Sequence, residues 1–430
     1  MTRPSSLVVA VVLPPLLVVA RVATLRGIVR PVVDSLSLVP PRIVSAPPRI
    51  NGRARAAVSS SADATTTTTS TSSSGGGRAP FGFRYTHLEG NGQLWQITTD
   101  GPKRGGGDDD YDDGGDGRSS SSGSSSSLSV VVDPLASQLD FGMPWGYRAN
   151  KRIMSEDETI DAICDANPSH CLLTMGLDDH THLPTLSRLR DRMPDMKYVV
   201  APSCVGKLTE MGIRSECVTV LDHGRSCDLL PNDDYDDDDG GIGGGFGAIV
   251  TATRGALVGP PWQRRENGYL LELFRYDNDD DGGTGDRRHG REGGASIYYE
   301  PHGDVVLDDI RDARADVVIS PVTRQSLPAH APPIARYTLV HGGERTLRIA
   351  ETLRASVIVP LGNGALDVEG PLSGLVISSG DVDDFEDIVT RRNIDATNNN
   401  MGGGGGEGAD DVIIMKVARA IPGVPLTIMI

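Results

Sequence analysis

A turn between an apolar run and a proline gathers the side chains best suited to chemistry. Residues 171–174 have the length of a buried strand, and Pro184 stands where proline favours the first turn of a helix. The polar residues between them are Asp178, Asp179, His180 and His182. Carboxylate oxygen and neutral imidazole nitrogen are donors that zinc and other divalent metals accept. Because α/β proteins place their sites in such turns, the turn predicts a functional site with a metal as the first candidate.

Further candidates end or follow other predicted strands. Asp133 closes an apolar run before Pro134, and Glu300 and His302 stand at the end of the predicted strand 296–300. Asp179, His180 and His302 together would supply three ligands, and a catalytic zinc keeps a further position for water. Glu300 or Asp133 would then act as general base or fourth ligand.

Each candidate also has a purely structural interpretation. Asp133 would cap a turn, and His180 would bond a neighbouring loop. His302 would support a neighbouring ligand or pack in the interior. His182 would point away, since positions two apart on a helix face different sides. Trp262 would be a core or interface anchor instead of a substrate platform.

The elements that must position these residues occupy residues 81–430. Residues 83–88 and 94–98 predict a hairpin around Asn91 and its two flanking glycines. Strands are predicted over 129–133, 171–174, 198–201, 217–221, 249–253, 269–275, 296–300, 317–321, 357–360 and 412–417. Helices are predicted over 184–192, 203–211 with Ser203 as its cap, 306–313 and 343–353. Strand pairs followed by strand–helix alternation favour sheets covered by helices.

Charge and composition are dominated by low-complexity segments. The net charge is −17, and the acidic runs at 108–116, 233–239 and 277–286 hold 17 acidic residues between them. Such runs are typical of solvated loops, and we predict insertions near 102–127, 232–245, 277–294 and 398–408. The chain has no clustered basic stripe, which argues against nucleic acid as a partner.

The first 78 residues resemble a targeting segment. The apolar run 7–20 is interrupted by Pro14 and Pro15, has the length of a signal h-region and is too short for a membrane span. Arginine-rich, serine-rich and acid-poor sequence follows it. The combination predicts a plastid presequence, with a mitochondrial or secretory destination as alternatives and a disordered tail as the structural interpretation. No stable membrane insertion is expected.

A family resemblance rests on several distinctive runs. Residues 174–180 are similar to the Thr/Ser-His-x-His-x-Asp-His loop of the metallo-β-lactamase superfamily, with Asp179 and His180 in the Asp-His pair. The run 259–270 looks like the ascorbate-6-phosphate-lactonase-like branch and a plant and algal plastid group within it. Further runs that point the same way are 139–145, 298–302 and 315–321. The resemblance implies an α+β, four-layered αββα sandwich over residues 81–430, interrupted by the insertions.

The chain departs from the metal pattern of that superfamily. Met175 and Leu177 stand at the two leading histidines of the loop. Residues 254–256 contain no histidine where the third is expected, and residues 361–363 contain none where the last is expected. The bridging aspartate is expected where residues 300–302 read Glu-Pro-His.

Two functions from different classes remain. The first is a metal-dependent hydrolase of an ester, lactone or phosphoester, with a reduced site that holds zinc or another divalent metal. The second is a metal-free binding protein of the same fold that recognises a small anion or a partner protein. In either case the pocket residues would include Trp262, Arg264 and His182 beside the site, with Arg264 able to pair an acidic ligand. The oligomeric state is left open.

Overall fold

The computed structural model describes most of the predicted domain. The described residues are 7–13, 16–22, 66–67, 80–99, 127–229, 246–259, 262–275, 294–326, 338–362, 366–402 and 412–430. Most of the predicted presequence, and nearly all of the insertions at 102–127, 232–245 and 277–294, lie outside these ranges. Near the N-terminus, β1 (Leu7–Leu13) and β2 (Leu16–Val22) form an antiparallel pair of their own.

The remaining elements alternate between strands and helices. The strands of the first half are β3 (Thr66–Thr67), β4 (Gly82–His87), β5 (Gln93–Thr98), β6 (Ser127–Val132), β7 (Arg148–Asn150), β8 (His170–Leu173), β9 (Lys197–Val200), β10 (Val218–Val220) and β11 (Ser226–Leu229). Those of the second half are β12 (Phe246–Arg254), β13 (Asn267–Arg275), β14 (Ala295–Tyr299), β15 (Val317–Pro321), β16 (Arg324–Ser326), β17 (Thr338–Val340), β18 (Val357–Leu361), β19 (Asp367–Glu369), β20 (Ile377–Ser379), β21 (Lys416–Val417) and β22 (Leu426–Met429). The helices are α1 (Glu156–Asp165), α2 (Leu183–Arg192), α3 (Val205–Glu210), α4 (Gly343–Thr352) and α5 (Val382–Gly402).

Two large sheets carry the fold. The first has the order β10-β9-β8-β6-β5-β4-β22-β3, and the second has the order β11-β12-β13-β14-β15-β18-β21. In the first sheet β6, β8, β9 and β10 run parallel, and in the second β14, β15, β18 and β21 do. Carboxyl ends of parallel strands meet at one edge of a sheet, so each sheet has an edge at which loop residues gather.

Strand alternation builds the central core. On β6, Val130 and Val132 join the core between the sheets, whereas Val131 faces the helices on the other side. On β5, Trp95 points inward and Leu94 outward in the same way. This follows from the period of two in a strand.

Helices cover the outer faces of both sheets. A second apolar cluster joins the outer face of the first sheet to α1, α2 and α3, and a third joins the outer face of the second sheet to α4 and α5. The layers are therefore helix, sheet, sheet and helix, which confirms the predicted α+β sandwich. Within the described residues, none of the helices is long and apolar enough to cross a membrane.

Several predicted elements differ from the structure. The predicted helix 306–313 is a single 3-10 turn, Leu307–Ile310, and residues 311–316 form turns and irregular structure before β15. Ser203 does not cap a helix, since Pro202 starts a 3-10 turn one residue earlier and the Ser203 hydroxyl bonds to Glu266 instead. The start of the predicted insertion 398–408 belongs to α5, which the sequence analysis did not predict.

The C-terminal end of the chain also differs. The predicted closing strand 412–417 shortens to β21, whereas β22, which pairs with β4, closes the first sheet.

Candidate functional site

The candidate site lies where loops from both sheets meet. Asp133 directly follows β6, and Asp179 and His180 follow the adjacent parallel strand β8. His302 follows β14 of the second sheet, and Asn91 lies in the turn between β4 and β5. Parallel pairing of β6 with β8 thus brings the two predicted strand ends together, and packing of the two sheets adds His302.

His180 is the centre of the cluster. The ring is fully buried, and its Nδ1 lies 2.8 Å from Asp133 Oδ2. Its Nε2 lies 3.4 Å from His302 Nε2 and 3.4 Å from Asp179 Oδ2. One ring nitrogen is therefore tied to a carboxylate, and the other faces two further metal-type donors.

Asp133 holds His180 in place. Besides His180, Asp133 Oδ2 accepts from Thr174 Oγ1 at 2.6 Å and from Tyr299 OH at 3.0 Å, and its Oδ1 accepts from the Thr174 backbone N–H at 2.8 Å. Its backbone is in the left-handed region, with φ 43°, which aspartate adopts more readily than most residues. With four hydrogen bonds already made, this carboxylate is suited to orient a histidine ligand, and it fits the predicted roles of base or metal ligand less well.

His302 presents a free ring nitrogen to His180. Its Nδ1–H donates to the Leu339 carbonyl at 2.8 Å, which fixes the tautomer with the Nε2 lone pair directed at His180. Burial, reinforced by the charge of His180, lowers the pKa of His302 to about 4. A neutral imidazole with an anchored Nδ1–H is the form that ligates a metal.

Charge is balanced within the cluster. Burial disfavours both charged forms, but Asp179 and Asp133 outweigh it and raise the pKa of His180 to about 10. The same attraction outweighs burial at Asp179 and lowers the pKa of its carboxyl to about 2. Without another cation, His180 and Asp179 thus form an ion pair, and a bound divalent cation would take over the role of the His180 proton.

The donor set suits a divalent metal in chemistry, and two of its distances are close to those between ligands of one ion. Two ligands of one tetrahedral zinc, each about 2.05 Å from the ion, lie about 3.3 Å apart. Both Nε2 distances around His180 are 3.4 Å. Asp179 Oδ1 is buried and lacks a hydrogen-bond partner. By themselves, however, the His, Cys, Asp and Glu side chains in the described ranges form no group of three or more that could hold a metal ion. As they are placed, Asp179, His180 and His302 therefore approach one another in pairs around His180 Nε2 without forming a complete metal site.

An apolar cluster stands beside this polar one. Met175 is fully buried against Ala256 and Val258, and Leu177 packs against them. Met175 and Leu177 occupy the positions of the two leading histidines in the resemblance, and Ala256 lies in the segment expected to supply the third. Apolar side chains that pack against one another therefore stand where the resemblance expects these histidines.

Glu300 supports the turn that carries His302. Its Oε2 accepts from the backbone N–H groups of His302 at 3.2 Å and Asp304 at 2.8 Å. Its Oε1 is buried without a hydrogen-bond partner. Burial raises the pKa of Glu300 to about 7, so this carboxyl exchanges its proton near neutral pH.

Two of the predicted pocket residues, His182 and Arg264, bond to residues other than His180 and His302. His182 Nδ1 bonds to Thr185 Oγ1 at 2.8 Å at the start of α2. Arg264 is half-exposed and pairs with Asp222. Trp262 is 84% exposed, which excludes the interpretation as a core anchor.

Sequence reasoning did not predict two contributors to the site. Asn91 was predicted only as part of a hairpin turn, yet its Nδ2 lies 3.0 Å from His180 Nε2 and 3.3 Å from Asp179 Oδ2. Tyr299 was predicted as a strand residue, and its hydroxyl reaches Asp133. The available signals were an asparagine between two glycines and a tyrosine at an inward strand position, and both patterns also occur where no site exists.

The architecture and the site define a protein of the metallo-β-lactamase fold. The sequence matches the family described as beta-lactamase superfamily domain over residues 117–362, and the chain belongs to that family. No curated protein matches the sequence.

Three solved structures are similar to part of the chain, with low sequence identity and low TM-scores. Igni18, described as a novel metallo hydrolase from Ignicoccus hospitalis, is 13% identical, with a TM-score of 0.39 over 80% of this chain and 98% of that one. The metallo-beta-lactamase fold protein YhfI from Bacillus subtilis is 9% identical, with a TM-score of 0.37 over 80% of this chain and 99% of that one. A long form RNase Z from yeast is 9% identical, with a TM-score of 0.38 over 81% of this chain and 42% of that one.

Proposed function

We propose that this protein is a metallo-β-lactamase-fold hydrolase with a reduced site for one divalent metal. The observation that carries the proposal is the pair of ring nitrogens, His180 Nε2 and His302 Nε2, 3.4 Å apart. Both Nδ1 atoms are engaged elsewhere, with Asp133 and with the Leu339 carbonyl. Two anchored imidazoles that face one another leave their remaining lone pairs for a common cation.

The apolar cluster supports one metal over two. Met175, Leu177, Ala256 and Val258 offer no nitrogen or oxygen side-chain donor, and they pack against one another. A cation there would lose its water without gaining ligands, which is strongly unfavourable. Asp179, His180 and His302 are then the protein ligands of the single site.

The chain's own groups divide the work of hydrolysis. A divalent metal held by Asp179, His180 and His302 would supply a Lewis acid and would lower the pKa of its bound water. Asp133 and the Leu339 carbonyl orient the two imidazoles, and Asp179 contributes negative charge. Glu300 is the candidate general base, because its pKa is about 7 and its Oε1 is free to accept a proton. An ester, lactone or phosphoester is the substrate class that such a site would take.

A metal-free binding protein is the second candidate. It is favoured by the contacts of Asp179 Oδ2, which accepts from the Asn91 amide at 3.3 Å and lies 3.4 Å from His180 Nε2, so that this oxygen has partners without a cation. A small anion would then be the ligand, with Arg264 as the cation at the rim once it leaves Asp222.

Loss of metal and loss of activity together distinguish the two candidates. For the hydrolase, turnover of an ester, lactone or phosphodiester stops with chelator, returns with one divalent metal and is absent in His302→Ala. For the binding protein, no turnover is expected, chelator leaves the melting temperature unchanged, and a small anion raises the melting temperature. Arg264→Ala serves as the matched variant, because it removes the anion site and leaves the histidines intact.

We also propose that the protein belongs to the ascorbate-6-phosphate-lactonase-like branch and acts in plastids. The proposal is supported by the run 259–270 and by the arginine- and serine-rich first 78 residues. A fluorescent protein fused after residue 78 is expected to enter plastids of a plant or algal cell. Accumulation in mitochondria or along the secretory route would contradict it.

A further inference from the structure

We propose that Glu89 is a positioning residue of the candidate site. Its carboxylate is bound by the backbone N–H groups of residues 152–154, and this contact fixes the hairpin turn that carries Asn91 to Asp179 and His180. The inference involves no metal ion, so it holds for a hydrolase and for a binding protein alike. It goes beyond the proposed function, because it assigns a role to a residue whose own hydrogen bonds lie outside the histidine pair.

The Glu89 carboxylate meets three consecutive backbone donors. Its Oε1 accepts from the N–H groups of Arg152 at 2.8 Å and Ile153 at 3.1 Å, and its Oε2 accepts from that of Met154 at 2.7 Å. Glu89 is fully buried, and a buried carboxylate is tolerated only where hydrogen bonds or other charges compensate it. Hydrogen bonds to a carboxylate are stronger than those between neutral groups, so this contact holds the turn firmly.

A carboxylate is the group that this contact requires. Both of its oxygens accept, whereas an amide of the same shape would turn an N–H₂ group toward one of the backbone donors. Lys151 adds a compensating cation within electrostatic reach. Burial lowers the pKa of Lys151 to about 8, and the attraction of Glu89 acts in the opposite direction.

The backbone of the turn adopts a conformation that needs support. Glu89 and Gly90 both lie in the left-handed region, with φ 65° and 59°, and this region is uncommon for glutamate. Within the turn, Leu88 N–H donates to the Gly92 carbonyl at 2.8 Å, and Gly92 N–H donates to the Glu89 carbonyl at 3.1 Å. These bonds and the three N–H groups outside the turn together hold the conformation in place.

Asn91 transmits the position of the turn to the site. It follows Glu89 by two residues, and its Nδ2 lies 3.0 Å from His180 Nε2 and 3.3 Å from Asp179 Oδ2. Asn91 is only 7% exposed. Because hydrogen bonds weaken steeply as their geometry departs from the optimum, a small displacement of the turn would take the amide away from both side chains.

The segment that binds Glu89 is fixed to the helices beside the site. Residues 152–154 directly precede α1, and α2 begins at Leu183, soon after His180. Both helices pack on the outer face of the first sheet, and Arg188 of α2 forms ion pairs with the first two residues of α1. The hairpin turn and the loop that carries His180 are thus held by the same pair of helices.

NMR of the histidine rings tests the proposal without measuring activity. The full-length protein is labelled with ¹⁵N-histidine and dialysed against chelator, and the His180 signals are assigned by their loss in His180→Asn. Wild type is compared at a single pH with Asn91→Ala, with Glu89→Gly and with the double variant. Glycine suits the left-handed backbone, so Glu89→Gly removes the carboxylate without adding strain. Glu89→Gln, which keeps one acceptor oxygen, serves if Glu89→Gly does not fold in a thermal melt.

Glu158→Gln is the matched control. Glu158 also binds a backbone N–H group, that of Ser155 at 2.7 Å, but this contact lies within the cap of α1. His170, which is buried on β8, is the internal reference for any general change in the fold.

The expected result separates positioning from general stabilisation. Asn91→Ala shifts the His180 signals, because the amide leaves Nε2. Glu89→Gly shifts them in the same direction and by most of the same amount, and the double variant shows no further shift, since both changes act on one contact. Glu158→Gln lowers the melting temperature but leaves the His180 signals at their wild-type positions. The His170 signals stay in place in every variant.

Three results would overturn the proposal. A folded Glu89→Gly or Glu89→Gln whose His180 signals match those of wild type would show that the carboxylate only stabilises the fold. Additive shifts in the double variant would show that Glu89 affects His180 by a route other than Asn91. Unmoved His180 signals in Asn91→Ala would remove that route altogether. The proposed function is decided separately, by metal content and turnover.

Discussion

Replacing Asp133 with asparagine tests how strongly one carboxylate organises the site. Asparagine keeps the shape, tolerates the left-handed backbone at φ 43° and still accepts from the Thr174 N–H through one oxygen. The other oxygen becomes an N–H₂ group that faces Thr174 Oγ1, His180 Nδ1 and Tyr299 OH, which all donate to it in wild type.

The expected loss of unfolding free energy depends on which of the three donors can become an acceptor. The hydroxyls of Thr174 and Tyr299 can rotate and accept instead of donating, so they lose little. His180 cannot do so while its Nδ1 carries a proton, and a hydrogen bond with a charged partner is worth about 1.5–3 kcal/mol. We expect Asp133→Asn to lower the free energy of unfolding by about 3 kcal/mol.

Urea denaturation of the metal-free protein measures this loss without a contribution from metal binding. Tyr299→Phe is the matched variant, because it removes one of the four donors and leaves the carboxylate, with an expected loss of about 1 kcal/mol. A loss below about 0.5 kcal/mol for Asp133→Asn, or one no larger than that of Tyr299→Phe, would refute the idea that this carboxylate holds His180 in place.

Three further predictions concern residues outside the metal ligands. Burial, with a contribution from Lys197, lowers the pKa of His170 from 6.5 to about 4, so its contribution to stability is complete above pH 6.5 and is lost as the pH falls toward 4. His170→Gln should therefore reduce the loss of unfolding free energy between pH 6.5 and pH 4 by about 2 kcal/mol, as measured by urea denaturation. The same loss in the variant and in the wild type would contradict this. Met175→His places an imidazole among Ala256 and Val258, so it should lower the free energy of unfolding by about 2 kcal/mol. The metal content should stay unchanged. A second bound ion in elemental analysis would contradict the one-metal site. Trp262→Ala should change the unfolding free energy by less than about 0.5 kcal/mol, because the side chain is 84% exposed, and a larger loss in the melt would show an unexpected structural contact.

The sheets were predictable because their pattern is local. The alternation of Val130, Val131 and Val132 between the two faces of β6 follows from strand geometry alone. Where an apolar run ended in Asp133 or led into Asp179 and His180, the strand end and its polar turn were placed correctly, and parallel pairing then brought them together.

The rest of the site depends on packing between distant segments. His302 meets His180 across 122 positions of sequence, and the distance between their rings depends on how the two sheets pack. Asn91 could not be distinguished from an ordinary turn residue, since a glycine-flanked asparagine is what a hairpin turn favours in any case. The helix predicted over 306–313 was wrong beyond its first turn, since only Leu307–Ile310 is helical and residues 311–316 are irregular before β15.

The most direct test of the one-metal site is the metal content of the full-length protein, purified without chelators and compared with His180→Ala and His302→Ala. Roughly one zinc, iron or manganese ion per wild-type chain, and its loss in both variants, is the result we predict. A wild type that carries no metal and still melts cooperatively would contradict the proposal and identify a metal-free binding protein of this fold.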